Sequence, residues 1–206
     1  MYLRVVGRVG ETWQGCHDAR YYLDDGTTAQ QYDTDMLEGI FDLSARIALV
    51  TGGSRGIGRM IARGFLEQGA TVYLCARKRE ACERSAVELN EEVAARAGTG
   101  AGAAAPRCIA LAADLSTVEG ARDLAALMAG LESRLDILVN NAGAAWAAPF
   151  DDFPEHGWDK VVDLNLKSPF FLTQALAPML RASASEARPA KVINIASIDG
   201  IFVNPM

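Results

Sequence analysis

The chain has 206 residues, half of them hydrophobic, which is enough for one domain with a sizeable core. Its formal net charge of −6 disfavours a nucleic-acid surface, which needs a basic face, and no apolar run approaches the roughly 20 residues of a membrane span. Cys16, Cys75, Cys82 and Cys108 are scattered without a C-x-x-C pair, and there are only two histidines; this predicts reduced thiols, no metal centre and a cytoplasmic location. Residues 1–40 mix tyrosines, acids and glycines without a period and predict an irregular N-terminal extension lacking the sustained apolar segment of a secretory signal. Met36, just before the first strand region, is expected as the natural start, with the preceding residues a leader or an artefact of where the gene is read from.

From residue 41 to 206, strand and helix signals alternate. Ile47–Thr51, Thr71–Cys75, Cys108–Ala112, Ile137–Asn140 and Lys191–Ile195 are short aliphatic runs without clean alternation, as suits strands covered on both faces. Helical steps lie between them: Ile57, Ile61, Phe65; then Cys82, Ala86, Leu89, Val93; then Leu124, Met128, Leu131, Leu135. Trp158 to Leu180 reads as one long helix in which Pro169 removes a backbone donor, predicting a kink near Asn165. The stretch GTGAGAAAP, Gly98 to Pro106, predicts a surface loop. The alternation predicts an α/β fold, a doubly wound parallel sheet with helices on both faces.

The first strand ends in Thr51-Gly-Gly-Ser-Arg-Gly-Ile-Gly58 and runs into a helix. That order sets main-chain N–H groups at a helix N-terminus, where they and the helix dipole suit a pyrophosphate. Glycine is needed there because a side chain would block the phosphate. The strand before and the amphipathic helix after supply the context that a glycine trio alone lacks.

These residues resemble the T-G-x-x-x-G-x-G fingerprint of the short-chain dehydrogenase/reductase family. Asn140-Asn-Ala-Gly143 after the fourth strand resembles that family's N-N-A-G, and the likeness covers about residues 41–206. It implies a Rossmann-like domain with a dinucleotide held by Gly52, Ser54, Arg55, Gly56, Ile57 and Gly58. It further implies that Asp114 and Leu115, after the third strand, meet the adenine, and that Asn141, Ala142 and Gly143 line the ribose side. Asn165 and Ser197 match the family's catalytic asparagine and serine. Asn140 reads better as a tie between strands than as a cofactor contact. A buried Asn165 could alternatively satisfy carbonyls orphaned by the kink.

The end of the second strand, Cys75-Ala-Arg-Lys-Arg79, has no acid to accept from a ribose 2′-hydroxyl. Arg77 is placed to fork onto a 2′-phosphate, with Arg55 as a second cation and Lys78 and Arg79 facing solvent, so the expected cofactor is NADP(H).

In the family, a serine polarises the substrate carbonyl, and a tyrosine with a lysine four positions on donates the proton. None of the five tyrosines here has lysine at that spacing. The expectation is a C-terminally incomplete family domain, lacking the final strands and helices, whose last strand bares an apolar edge.

Phe41–Val50, Leu135–Gly143 and Leu180–Ser185 look most like 3-oxoacyl-[acyl-carrier-protein] reductases of the rhamnolipid-biosynthesis type. That implies an NADPH-dependent reduction of a 3-oxoacyl thioester, the small-molecule substrate being linked to a carrier protein or CoA, and a homo-oligomer. Trp146 and Phe150 are candidates for a substrate wall or for packing. The alternative is a non-catalytic NADP(H)-binding or interaction protein.

Overall fold

A computed structural model of the chain describes residues 41–97 and 107–197. The expectations for residues 1–40, Cys16 and the Gly98–Pro106 loop fall outside them. In the unit that begins at Leu43, strands and helices alternate: β1 (Ile47–Thr51), α1 (Gly56–Glu67), β2 (Thr71–Ala76), α2 (Arg79–Ala97), β3 (Cys108–Ala112), α3 (Val118–Leu131), β4 (Ile137–Asn140), α4 (Glu155–Val162), α5 (Ser168–Ser183) and β5 (Lys191–Asn194).

All five strands are parallel, in the order β3-β2-β1-β4-β5. The chain winds outward from β1 to β3, then returns to build β4 and β5 on the other side of β1. The order therefore reverses between β1 and β4, and open α/β sheets bind ligands at the carboxyl end of such a switch point.

Side chains that alternate along the strands feed two separate cores, one on each face of the sheet. On one face Ala48, Val50, Val72 and Leu74 pack with Ala62 and Leu66 of α1 and with Cys82, Leu89 and Val93 of α2. On the other face Leu49, Tyr73 and Leu138 pack with Leu124 and Met128 of α3 and with Leu172 and Leu176 of α5. This is the doubly wound arrangement that the alternation predicts.

Three expectations are corrected. The buried stripe of α1 is Gly58, Ala62 and Leu66; Ile61 and Phe65 pack partly buried against the core as expected, while Ile57 is exposed, the helix being rotated so that Gly58 meets the loops above the sheet. The third helical step overruns its helix. Glu132 turns extended and ends α3, so Leu131 is exposed, whereas Leu135 is buried in the segment leading into β4. β5 is not covered on both faces, since every residue in it is exposed.

The kink predicted near Asn165 is a π turn, Asp163–Lys167, joining α4 to α5. The Ser168 N–H donates to the Asp163 carbonyl five residues back. Pro169 has no N–H with which to continue the α-helical ladder, and one extra residue per turn relieves the conflict. The thiols of Cys75, Cys82 and Cys108 are free and buried. Burial pushes Cys75 and Cys108 up to about 12, which keeps them protonated and unreactive.

Candidate functional site

The glycine loop and the loop after β4 meet at the switch point and are tied there by Thr51. Its hydroxyl donates to the Val139 carbonyl at 3.2 Å and accepts from the Asn141 and Ala142 amides, each at 3.0 Å. The Asn141 side-chain amide donates back to the carbonyls of Thr51 (2.9 Å) and Gly52 (3.2 Å). Asn141 therefore carries a structural load alongside its expected place on the ribose side. Thr51 was not singled out from the sequence. The available signal was a β-branched hydroxyl ending an otherwise aliphatic strand.

Two glycines in the loop have distinct reasons. Gly56 adopts a φ of +55° with nothing within 4 Å of where a Cβ would stand, so the space above it is open to a ligand. A Cβ on Gly58 would stand 2.5 Å from both Asn141 Nδ2 and the Gly52 carbonyl oxygen, so only glycine allows the helix to start this close.

The N-terminus of α1 has no side-chain cap and no acid in its first turn. Its amides and dipole thus face a glycine-lined space with no acid in that turn, which fits the diphosphate of a dinucleotide. Arg55, at the cap position, is exposed, as is Arg77 just after β2; neither forms an ion pair among the described residues.

Asp114 stands beside Arg77, because the two strand ends are joined by the Ala113 amide donating to the Ala76 carbonyl at 3.2 Å. The Asp114 carboxylate accepts from the Ser116 N–H at 3.0 Å. That hydrogen bond holds its pKa below the usual carboxylate value, with the Arg77 charge adding to the effect. The Leu115 side chain is buried in the α3-side core, leaving only its main chain for a ligand.

A groove of about 1000 Å³ opens between α5 and the carboxyl ends of β4 and β5. Its lining includes the polar Asn165, Asn194 and Ser197, with Gly143, and the apolar Leu166 and Phe170. Asn165 is exposed rather than buried, and it does not serve the carbonyls of its own helix. It projects from the π turn and clamps Ala144, accepting from that residue's N–H and donating to its C=O, both at 2.8 Å.

Asn140 ties β4 to its neighbours as expected, donating to Asn194 Oδ1 at 2.9 Å and to Thr173 Oγ1 at 3.2 Å. Neither Trp146 nor Phe150 lines the groove. Trp146 packs over Gly157, with His156 edge-on at 4.8 Å and Lys160 Nζ 5.1 Å from its ring centre, while Phe150 is 94% exposed. No helix among the described residues is long and apolar enough to cross a membrane.

The structure thus brings Gly52, Ser54, Arg55, Gly56, Ile57 and Gly58 together with Asn141, Ala142 and Gly143 at the switch point. Arg77 and Asp114 stand beyond the ends of β2 and β3, and Asn165 and Ser197 share the groove.

Comparison with known proteins bears on this geometry. A family model described as short chain dehydrogenase matches residues 46–206. The chain is 52% identical over 161 residues to the rhamnolipids biosynthesis 3-oxoacyl-[acyl-carrier-protein] reductase of Pseudomonas aeruginosa, covering 78% of this chain and 58% of that protein. It is 35% identical over 167 residues to nodulation protein G of Rhizobium sp., covering 81% and 60% respectively. Among solved structures it is similar to the active-site complex of Pseudomonas aeruginosa RhlG with NADP, with a TM-score of 0.72 and 49% identity over 81% of this chain and 60% of that one. L-sorbose reductase from Gluconobacter frateurii, complexed with NADPH and L-sorbose, gives a TM-score of 0.67 and 27% identity over 78% and 56%. The chain spans between about two fifths and three fifths of the length of the curated relatives it matches.

Proposed function

The chain belongs to the short-chain dehydrogenase family, and on that premise we propose that it acts as an NADPH-dependent reductase whose substrate is the carbonyl of a 3-oxoacyl thioester, on a carrier protein or CoA. The observation that carries the reading is the uncapped, glycine-lined start of α1, with Arg55 at its cap position and Arg77 just after β2, neither in an ion pair among the described residues, and no acid at the end of β2.

In this reading the amides of Gly56 to Gly58 bind the diphosphate, and Ser54 and Ile57 line its approach. Arg77 forks onto the 2′-phosphate, and Arg55 adds a second positive charge. Asn141, Ala142 and Gly143 bound the ribose side, held in place by Thr51. When bound, NADPH would supply the hydride to the carbonyl carbon, and the alkoxide so formed would take its proton from solvent. The Ser197 hydroxyl donates to the substrate's carbonyl oxygen and draws electron density from its carbon. Asn165 positions the groove wall by clamping Ala144. The apolar Leu166 and Phe170 in the groove lining suit an acyl chain.

The second reading is a non-catalytic NADP(H)-binding or interaction protein, which shares with the first the dinucleotide site at the start of α1. Titration calorimetry of the chain with NADPH and NADH tests the shared premise, and saturable binding with NADPH preferred is the expected result. NADPH oxidation in the presence of a 3-oxoacyl thioester then separates the two readings. Turnover eliminates the non-catalytic one, and tight NADPH binding with no turnover eliminates reductase activity of this chain by itself.

A further inference from the structure

Arg77 and Asp114 carry opposite charges at adjoining strand ends, yet they do not form an ion pair. The reason lies in how Asp114 is mounted. Its carboxylate accepts from the Ser116 N–H at 3.0 Å, in the turn that leads to the Thr117 cap of α3. Its main chain is pressed against the first turn of α3 at Gly120, where a Cβ would collide with the Asp114 carbonyl oxygen. The carboxylate therefore stands on a fixed post and cannot swing freely toward the guanidinium. Arg77 feels its charge without being bound by it.

We propose that Asp114 sets the degree to which this protein prefers a phosphorylated over an unphosphorylated adenosine ribose, because its carboxylate and the ligand's 2′-phosphate compete for the one guanidinium of Arg77. Asp114 is in this sense a positioning residue that acts through Arg77, in addition to its expected meeting with the adenine. The inference rests on the reading of Arg77 as the 2′-phosphate ligand. It adds a consequence that reading lacks: the preference is held below its maximum by a charge built into the β3 end. Two exposed unit charges near each other, in a largely aqueous dielectric and without direct contact, support an effect of about two- to fivefold in the ratio of affinities.

The test is a set of dissociation constants for NADPH and NADH, by calorimetry, with the unmodified chain, Asp114→Asn, Arg77→Met and the double variant. Asparagine keeps an oxygen for the Ser116 N–H while removing the charge, so the post is preserved. Asp114→Asn is expected to raise the NADPH-over-NADH affinity ratio about two- to fivefold at low salt, with the gain shrinking at roughly 0.5 M salt. In the Arg77→Met background the gain is expected to vanish.

A change that is equal for both nucleotides, leaving the ratio fixed, overturns the proposal and leaves Asp114 with an adenine or folding role alone. A gain that persists without Arg77 overturns it as well. The underlying reading fails differently: an unmodified chain that prefers NADH, or binds neither nucleotide, removes the 2′-phosphate role of Arg77 whatever Asp114→Asn does.

Discussion

Helices α1 and α3 both start just beyond the carboxyl end of a strand, on opposite faces of the same sheet, yet their first turns are finished in opposite ways. At α3, Thr117 caps the helix from within, accepting from the Gly120 N–H at 3.0 Å, and Glu119 lies in the first turn. At α1 the cap position is Arg55, whose side chain supplies no hydrogen bond, and the first turn has no acid. One helix start is finished by its own residues; the other, among the described residues, has neither a side-chain cap nor an acid in its first turn. A helix that begins at the switch point is stabilised less by its own residues and can therefore be stabilised by a bound anion.

The contrast can be broken most severely at Gly58. Gly58→Val would drive a side chain into Asn141 and the Gly52 carbonyl, and the expected outcome is a loss of dinucleotide affinity exceeding about 100-fold together with a destabilisation of about 1–3 kcal/mol or more. Calorimetry and thermal melting check the two effects. Binding within about tenfold of the unmodified chain would show that the close approach does not shape the ligand site.

A more pointed change gives α1 the kind of cap that α3 has. Arg55→Ser is expected to stabilise the folded chain by about 0.5–1 kcal/mol while weakening NADPH binding about three- to tenfold, because serine would satisfy an amide otherwise offered to the diphosphate and a cation is lost. If stability and affinity rose together, the two helix starts would not differ in the way described. The converse change, Thr117→Ala, is expected to cost about 1 kcal/mol of stability in chemical denaturation with NADPH affinity unchanged to within about twofold.

The smallest effect is a dependence on pH at the foot of α3. Asp114 has a folded pKa depressed first by the Ser116 N–H, so its contribution to stability is present above the ordinary carboxylate value near 3.8 and is lost as pH falls through the depressed one. Because Asp114 is exposed, that contribution is expected to stay under about 1 kcal/mol. Denaturation midpoints measured below about pH 4 should fall less for Asp114→Asn than for the unmodified chain.

Much of the scaffold was legible before any coordinates. The five aliphatic runs became five parallel strands, and in β1, β2 and β4 residues buried from both sides leave an unbroken apolar signature. The glycines beyond Thr51 marked the turn into α1. Pro169 marked the bend, although its form, a π turn, depended on how the helix resolved a missing donor. Less legible were features with partners far along the chain. The step from Leu131 to Leu135 kept its helical period across the end of α3, because burial of Leu135 comes from the segment leading to β4 rather than from the helix. Tyr73 reads as a strand residue, yet its hydroxyl donates to Glu132 at 2.7 Å, and burial together with that carboxylate pushes its pKa up to about 12.

β5 makes the same point from the side of burial. Lys191-Val-Ile-Asn194 resembles the other strands in composition, but Val192 and Ile193 are exposed, whereas every residue of the equally short β4 is buried. Composition alone does not tell how far the faces of a strand are covered.

By itself the sequence determined the alternation of strands and helices and the chemistry set at the strand ends: glycines after β1, arginine after β2, an acid after β3, asparagines after β4 and serine after β5. Those are local properties, fixed by backbone freedom, side-chain charge and hydrophobic period over a few residues. Only the tertiary structure decided that Thr51 would latch two loops, that Asn165 would clamp Ala144 instead of its own helix, and that Asp114 would stand beside Arg77 at adjoining strand ends. Each of those arrangements depends on which groups the parallel sheet brings within hydrogen-bonding distance, and a pairing between distant residues is set by packing of the whole rather than by the character of either partner.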